Sequence, residues 1–200
     1  MDSLIISATD NNIKKIVDVL KVKNNVIAIN TDTVYGLIAN ANDISSVNKI
    51  YQIKNRDLNK PLGLFVDKIE DLDKYVYIDN NILNNLKKNI NKSITYIFNL
   101  KNDDYKYLNK NNNTVSIRIP NNIFLKKIMS YIGFPLVQTS CNISNEPVYT
   151  DIYMIKKNIG KYLSLIVDGG KGDNISSTII DITNHYKVVR QGRDNFELYS

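Results

Sequence analysis

The 200-residue sequence has little of what disulfide-bonded, metal-binding and membrane proteins need: it contains one cysteine, one histidine and no tryptophan. A single thiol, Cys141, excludes an internal disulfide framework and is the usage expected of a protein in the reducing cytoplasm. One His and one Cys give no cluster with metal-ligand spacing, so no protein-held metal is predicted. No apolar run approaches the roughly eighteen residues of a membrane span, which predicts no contact with a membrane.

Positive charge is present in excess, with 26 Lys and Arg against 20 Asp and Glu and a net charge of +6. Clustered cations bind phosphates by displacing counterions, so this excess keeps a nucleic-acid partner open. The lysines are scattered among asparagines instead of forming a dense basic block, as in "NNILNNLKKNINK". Composition alone therefore identifies no partner.

Apolar runs alternate with amphipathic stretches along the chain, which predicts an α/β fold around one open, twisted mixed sheet. The chain is long enough for one real core, and we predict a single domain over residues 1–200. The predicted strands are 26–29, 62–66, 93–98, 115–119, 136–138, 165–167, 177–182 and 187–189. The predicted helices are 11–22, 44–54, 80–89, 123–132 and 152–159.

The first polar cluster, "NTDTVYGL", follows the strand "VIAI" directly. The hydroxyls of Thr31 and Thr33 suit a polar ligand at the edge of an α/β sheet, where such sheets open a crevice. The alternative is an ordinary turn in which the threonines satisfy the backbone. These residues alone favour the turn.

Two further clusters carry cations. Lys54 and Arg56 in "IKNR" either complement the dipole of the helix they end or, together with Lys60, bind phosphates. In "VSIRIP", strand alternation places Arg118 and Ser116 on one face. An arginine on such an apolar strand requires an anionic or polar partner, either a structural carboxylate or a carboxylate of the substrate.

Later segments add Ser140 and Asn142 in "TSCNIS", a glycine-rich "DGGKGD", and the pair "SSTIID" and "VVRQG". None of these is a Walker P-loop or a dinucleotide fingerprint. No serine lies in a nucleophile-elbow context, so a Ser-His-Asp triad is not predicted.

Taken in order, "NTDTVYGL", "IKNR", "KPLGLFV", "VSIRIP", "TSCNIS", "SSTIID" and "VVRQG" resemble the YrdC-like family of threonylcarbamoyl-adenylate synthases. The resemblance runs from about Val26 to Gly192 and looks like the short, single-domain form. It implies an open α/β sheet with a large, positively lined concave cavity. It also implies formation of L-threonylcarbamoyl-adenylate and pyrophosphate from L-threonine, bicarbonate and ATP, for threonylcarbamoyladenosine modification of tRNA next to the anticodon.

The resemblance also implies site residues, with Lys54 and Arg56 as the catalytic pair. ATP would be bound, with Mg²⁺, by Lys54, Arg56, Lys60, Thr114, Ser140, Asn142 and Arg190. Threonine would be bound by Thr31, Thr33, Tyr35, Arg118, Gln138 and Ser177. The implied partners are the proteins that transfer the threonylcarbamoyl group to tRNA, and a weak direct contact with tRNA stays open.

The chain departs from the family pattern at Asn30, Phe65 and Gln138, where the family usually has proline, histidine and an alanine-like residue. These changes bear on the threonine side more than on the phosphate side. Two alternatives remain: a non-catalytic RNA-binding module, and the carbamoyl-adenylate module of hydrogenase-maturation proteins. The second expects zinc-finger segments, for which one Cys and one His are too few.

Overall fold

The computed structural model describes residues 3–199, which contain ten strands and five α-helices. The strands are β1 Leu4–Ser7, β2 Ile27–Asn30, β3 Tyr35–Asn40, β4 Gly63–Phe65, β5 Ile94–Asn99, β6 Thr114–Arg118, β7 Leu136–Ser140, β8 Leu165–Asp168, β9 Thr178–Asp181 and β10 Lys187–Arg190. The helices are α1 Ile13–Lys21, α2 Ile44–Ile53, α3 Asn80–Lys88, α4 Ile123–Ile132 and α5 Ile152–Ile159.

All of these strands belong to one mixed sheet in the order β1-β8-β2-β3-β7-β4-β6-β5-β9-β10. Parallel pairs (β1 with β8, β2 with β8, β4 with β6, β5 with β9) are interspersed with antiparallel ones. The predicted mixed α/β sheet is therefore confirmed. The antiparallel pair β9–β10 supplies the pairing that the helix-poor C-terminal sequence suggested.

The predicted elements are all present, with boundaries within two residues, and α4 and α5 have the predicted bounds. Two strands, β1 and β3, were missed. In "NTDTVYGL" residues 31–34 form a turn, as the turn alternative had it, but a strand and not a loop follows it: β3 begins at Tyr35, which pairs with Asn30. Strand β3 is buried on both faces, so it lacks the polar alternation that reveals a strand.

One face of the sheet is covered by α2, α3 and α5. Their apolar residues, including Ile50, Leu86 and Ile155, pack with inward side chains of the strands in one large core cluster. The opposite face carries a second cluster in which α1 and α4 pack on β2, β3, β4, β7 and β8. Burial of these two apolar surfaces supplies the main driving force for folding.

Helices α1 and α4 cover only part of that second face. On β4, Phe65 belongs to the cluster under these helices, whereas Gly63, two residues earlier on the same face, lies in an open polar region. On β7, Leu136 belongs to the cluster and Gln138 and Ser140 lie in the polar region. The chemical character of one sheet face thus changes within two residues along each strand, at the edge of the helical layer.

Residues 192–199, which we call the C-terminal strap, run from the polar region to α3. Each buried amide of Asn85 and Asn89 pairs with the backbone of one strap residue: Asn85 with the N–H and C=O of Tyr199, and Asn89 with those of Glu197. The ring of Phe196 stacks on Tyr186 with 5.6 Å between centroids. The strap is therefore held by backbone pairing together with aromatic contacts of Phe196 and polar contacts of its charged side chains.

The strap begins at a glycine for steric reasons. A Cβ at Gly192 would lie 2.3 Å from the carbonyl oxygen of Ser176 and 2.5 Å from that of Ser177, both of which are backbone atoms. Only a residue without a side chain fits this approach.

Candidate functional site

The open polar region of the sheet contains a cleft, the inner cleft, with a volume of about 190 Å³. It is lined by three arginines, seven hydroxyl side chains and no carboxylate. The lining residues are Thr33, Val34, Arg56, Pro61, Leu62, Gly63, Thr95, Ser116, Arg118, Gln138, Thr139, Ser140, Ser176, Ser177, Ile179 and Arg190. A wider depression of about 800 Å³, the outer cleft, adjoins it and shares Thr33 as a lining residue.

Strand register builds the floor of the inner cleft. Gly63 on β4 pairs with Gln138 of β7 on one side and with Ser116 of β6 on the other. A Cβ at Gly63 would lie 2.6 Å from Gln138 Nε2 and 3.0 Å from Ser116 Oγ. The missing side chain of this glycine is therefore part of the space available to a ligand.

Two of the arginines bring uncompensated positive charge to the inner cleft. Arg56 donates from Nη2 to the carbonyl oxygen of Pro61 (2.8 Å), and Arg190 donates from Nη2 to that of Ser177 (2.8 Å). Neither forms a salt bridge with a carboxylate among residues 3–199. Burial lowers the pKa of both guanidinium groups, and for Arg190 the neighbouring Arg118 adds to that decrease. An anion that entered the cleft would offset both the burial of these charges and the repulsion between Arg190 and Arg118.

Lys54 lies behind the wall of the inner cleft instead of lining it. Its side chain is 1% exposed, and Nζ donates to the carbonyl oxygens of Ser140 (2.5 Å) and Asn142 (2.8 Å) and to Asn142 Oδ1 (2.8 Å). Burial lowers its pKa to about 8, with a further decrease from Arg56. All three ammonium hydrogens are engaged, so the predicted direct contact of Lys54 with phosphate does not fit this geometry.

Ser140 and Asn142 are held in place by that lysine. Ser140 lines the inner cleft and its hydroxyl donates to Asn142 Oδ1 (2.7 Å). Asn142 does not line the cleft, since its Nδ2 donates to the carbonyl oxygens of Ile143 and Glu146. The sequence therefore placed the correct segment at the site, but of these three residues only Ser140 lines the cleft, and Lys54 and Asn142 support it from behind.

Arg118 lines the inner cleft and has a structural carboxylate partner. Its Nη2 forms a buried ion pair with Asp32 Oδ2, and its Nη1 donates to Thr33 Oγ1 (3.0 Å). Phe65 lies beneath it, with the guanidinium carbon 5.8 Å from the ring centroid. Of the two partners considered from the sequence, a structural carboxylate is the one seen in the described residues.

The remaining predicted residues divide between the cleft and its surroundings. Gln138 and Ser177 line the inner cleft, and the Ser177 hydroxyl is 2.8 Å from that of Thr95. Thr31 lines the outer cleft, but its hydroxyl donates to the carbonyl oxygen of Val34, as in the turn alternative. The hydroxyl of Tyr35 donates to the carbonyl oxygen of Gly170 (2.6 Å), and its ring is in the large core.

Besides Lys54 and Asn142, two more of the predicted ATP-binding residues do not reach the lining of the inner cleft. Lys60 is exposed, with Nζ 3.4 Å from Asn145 Oδ1. Thr114 lies at the beginning of β6, where its hydroxyl accepts a hydrogen bond from Asn109 Nδ2.

The site also contains residues that the sequence did not single out. Thr95, Ser116, Thr139 and Ser176 line the inner cleft, and Asp32 lines the outer one. Arg193 of the strap donates to the backbone oxygen of Asp32 (2.7 Å) and forms an ion pair with Asp173 across the outer cleft. Asp32, Thr139 and Ser176 lie within the quoted motifs, and Ser116 was placed on the face of Arg118 without a role, whereas Thr95 had no local signal.

Residues 3–199 hold no group of three or more His, Cys, Asp or Glu side chains arranged for a metal ion. Within the same range, no helix has the length and apolar character needed to cross a membrane.

Comparison with known proteins places the chain among relatives over nearly its whole length. A family model for Sua5, YciO and YrdC proteins, described as telomere recombination, matches residues 20–192. A protein of Wigglesworthia glossinidia brevipalpis named threonylcarbamoyl-AMP synthase is 30% identical over 184 residues, which cover 90% of this chain and 94% of that protein.

Solved structures have the same fold. A double variant of P. abyssi Sua5 superposes with a TM-score of 0.86 at 25% identity and covers 95% of this chain, which spans 57% of that longer one. E. coli YciO also gives a TM-score of 0.86, at 23% identity, and the match covers 97% of this chain and 96% of that one.

Proposed function

The chain belongs to the Sua5/YciO/YrdC family, and on that basis we propose that it is a threonylcarbamoyl-AMP synthase. It joins L-threonine, bicarbonate and ATP to give threonylcarbamoyl-AMP and pyrophosphate, which makes it a nucleotidyltransferase. The product serves threonylcarbamoyladenosine modification of tRNA and passes to separate transfer proteins in the cytoplasm. The observation that carries this proposal is the lining of the inner cleft, with three arginines, seven hydroxyls and no carboxylate.

Such a lining suits the transfer of an adenylate group. In this reaction the carbamate formed from threonine attacks the α-phosphorus of ATP, and pyrophosphate leaves with the bond that breaks. Little covalent work falls to the protein, so orientation of the substrates and compensation of phosphate charge dominate catalysis. Arg56 and Arg190, which have no carboxylate partner in the described range, are suited to the phosphates.

The other residues take supporting roles in this scheme. Ser140 lines the phosphate side, where its hydroxyl would have to turn from Asn142 Oδ1 to donate to a phosphate oxygen, while Lys54 and Asn142 fix the backbone that carries it. Thr33, Arg118, Gln138 and Ser177 form the threonine side. Lys60 lies at the exposed rim. Thr31, Tyr35 and Thr114 stabilise the surrounding turns and strands instead of touching substrate.

The volumes support a ligand that occupies both clefts. Pockets for molecules of drug size measure roughly 300–1,000 Å³, so about 190 Å³ is too small for a nucleotide with an amino acid, whereas the adjoining outer cleft is large enough. Magnesium enters with ATP, because Mg²⁺ is commonly held by substrate phosphates and water.

The test is pyrophosphate release by the pure protein. We expect release from ATP to require both L-threonine and bicarbonate, and mass spectrometry to find the threonylcarbamoyl adenylate. Equal release without threonine would indicate a general ATPase. Binding of RNA with no adenylate formed would favour the alternative, an RNA-binding module, which the net charge of +6 keeps open.

A further inference from the structure

The wall between the two clefts contains a buried ion pair, and only its arginine has a role in the proposed reaction so far. The side chains of Arg118 and Asp32 are 4% and 8% exposed. Asp32 Oδ2 accepts hydrogen bonds from Arg118 Nη2 and from the hydroxyl of Ser93 (2.8 Å). The second oxygen of the carboxylate and the Nε nitrogen of the guanidinium take no part in these hydrogen bonds.

Those two atoms have no partner in residues 3–199. Asp32 Oδ1 and Arg118 Nε are both buried, and neither makes a hydrogen bond there. Buried polar groups are nearly always paired in native proteins, and a buried ion pair is tolerated best when its other donors and acceptors are satisfied. Here one oxygen atom and one nitrogen atom of the same ion pair have no partner within the described residues.

Their location is where the two clefts meet. Arg118 and Thr33 line the inner cleft, whereas Asp32 and Thr33 line the outer one. A ligand bound against Thr33 lies next to both members of the pair. An α-amino acid presents an amine donor and a carboxylate acceptor on a single carbon atom, which complements one free acceptor and one free donor.

The net charge of the Arg118–Asp32 pair differs from that of the phosphate side of the inner cleft. Asp32 compensates Arg118, so the pair is neutral as a whole and suits a zwitterion. Arg56 and Arg190 have no carboxylate partner in the described range and suit an anion. The charge of the surroundings therefore directs the zwitterionic threonine to the Arg118–Asp32 pair and the anionic phosphates to Arg56 and Arg190.

We propose that Asp32 is a further substrate-binding residue, whose Oδ1 accepts a hydrogen bond from the α-amino group of threonine while Arg118 Nε donates to the α-carboxylate. The proposal rests on the proposed function and adds to it the recognition of the amine. Because Oδ1 and Nε are both buried, the contacts require the carboxylate to turn about its Cβ–Cγ bond and the guanidinium to shift with it. That terminal torsion is broad and soft in aspartate.

The test measures binding of L-threonine and of its analogue 2,3-dihydroxybutanoate, in which a hydroxyl replaces the amine, by calorimetry on the full chain. We expect the wild-type protein to bind threonine at least about tenfold more tightly than the analogue. Asp32→Asn keeps the shape and removes the charge. We expect it to lose most of this preference through weaker threonine binding, with ATP affinity changed less than about twofold.

Asp103→Asn is the matched control, since Asp103 is exposed and pairs only with Lys106 at the surface. Unchanged or tighter threonine binding by Asp32→Asn would overturn the proposal and leave Asp32 as a counterion of Arg118. If that variant does not fold, the wild-type protein alone decides, because equal affinity for threonine and the analogue overturns the proposal as well. A wild-type protein that binds neither compound would contradict the proposed function itself.

Discussion

Lys54 and Arg56 stand two positions apart at the end of α2, yet their surroundings give them different tasks. Lys54 is enclosed and its three donors bind protein oxygens, whereas Arg56 lines the inner cleft and has only backbone carbonyls as partners. The resemblance implied that both bind ATP. The structure separates them: Arg56 faces the ligand space, and Lys54 is part of the protein interior.

Replacement of Arg56 by Ala should therefore impair the reaction without impairing the fold. We expect loss of about 2–4 kcal/mol of transition-state stabilisation, the range for removal of one charge-stabilising donor, with a melting temperature close to wild type. The measurement is kcat/KM for ATP at saturating threonine. Lys157→Ala, an exposed position on α5, serves as the control for lost charge. Full activity of Arg56→Ala would show that its guanidinium only holds the carbonyl of Pro61.

The lowered pKa of Lys54 should be detectable in the pH dependence of the free energy of unfolding. Burial lowers its pKa to about 8 from an ordinary 10.5, so between these pH values the unfolded chain binds the proton and the folded protein does not. Stability rises with pH wherever the unfolded state binds more protons. We therefore expect the free energy of unfolding of wild type to rise, relative to Lys54→Met, as the pH increases through this window.

Urea unfolding of both proteins from about pH 7 to about pH 10 measures that difference. The comparison with Lys54→Met removes the contribution of the tyrosines, which the two proteins share. At neutral pH the variant should be less stable by at least about 1–3 kcal/mol, because it leaves buried carbonyl oxygens without a donor. A difference that stays constant with pH would mean that Lys54 keeps its proton.

Helix α2 positions both of these residues, and its start is fixed by one aspartate. Asp43 accepts hydrogen bonds from the backbone N–H groups of Ser45 and Ser46 (3.2 Å each) and of Asn24 (2.7 Å). Burial raises the pKa of Asp43, but hydrogen bonds from Ser46, Asn24 and Ser45 outweigh that effect and lower it to about 2. The capped helix leads directly to Lys54 and Arg56.

Asp43→Ala should lower the free energy of unfolding by about 1–2 kcal/mol, as for other lost N-caps. The stabilisation by the carboxylate is fully present above the unfolded pKa of 3.8 and is lost as the pH falls through about 2. Denaturant unfolding at neutral pH and in acid measures both effects. Asp18→Ala, on the exposed side of α1, is the control. A variant as stable as wild type would show that the serine hydroxyls cap the helix without Asp43.

At the level of elements, the periodicity of apolar residues was sufficient to predict a helix or strand when one of its faces is apolar and the other is polar. Helices α4 and α5 were predicted with their observed bounds for that reason. Strand β3 was missed because burial on both faces leaves a continuous apolar run. A carboxylate partner of Arg118 was considered from the sequence, but its identity was not predicted, because Asp32 lies 86 positions away and meets Arg118 only through the sheet. Local sequence indicates which residues need partners, but sheet order determines which partners they find.

The whole molecule places its site where the helical layer stops. Helices α1 and α4 cover part of one sheet face, and the remainder of that face exposes alternate side chains of the central strands. Eight separate chain segments can then contribute to one surface, since strand order brings distant segments together. Predictions from the sequence recovered Thr33, Arg56, Arg118, Gln138, Ser140, Ser177 and Arg190 of that surface.

The C-terminal strap should contribute measurably to the stability of the whole fold. Asn89→Ala removes the amide that pairs with Glu197 and should lower the free energy of unfolding by about 1–3 kcal/mol, because backbone groups of the strap lose their partners. Thermal and denaturant unfolding measure this loss. Asn158→Ala is the matched control, since its amide is exposed and contacts only its own helix. Equal stability of the two variants would contradict a structural role of the strap.

The pairing of Asn85 and Asn89 with the strap has a consequence for evolution. These amides contact the N–H and C=O of residues 197 and 199, which every amino acid except proline provides in the same form. The side chains at 197 and 199 can therefore change while this pairing is retained, and proline at either position is the change that selection should remove. The match to the family model stops at residue 192, where the strap begins. At residues 197 and 199 the course of the backbone can thus be preserved while the amino acids change.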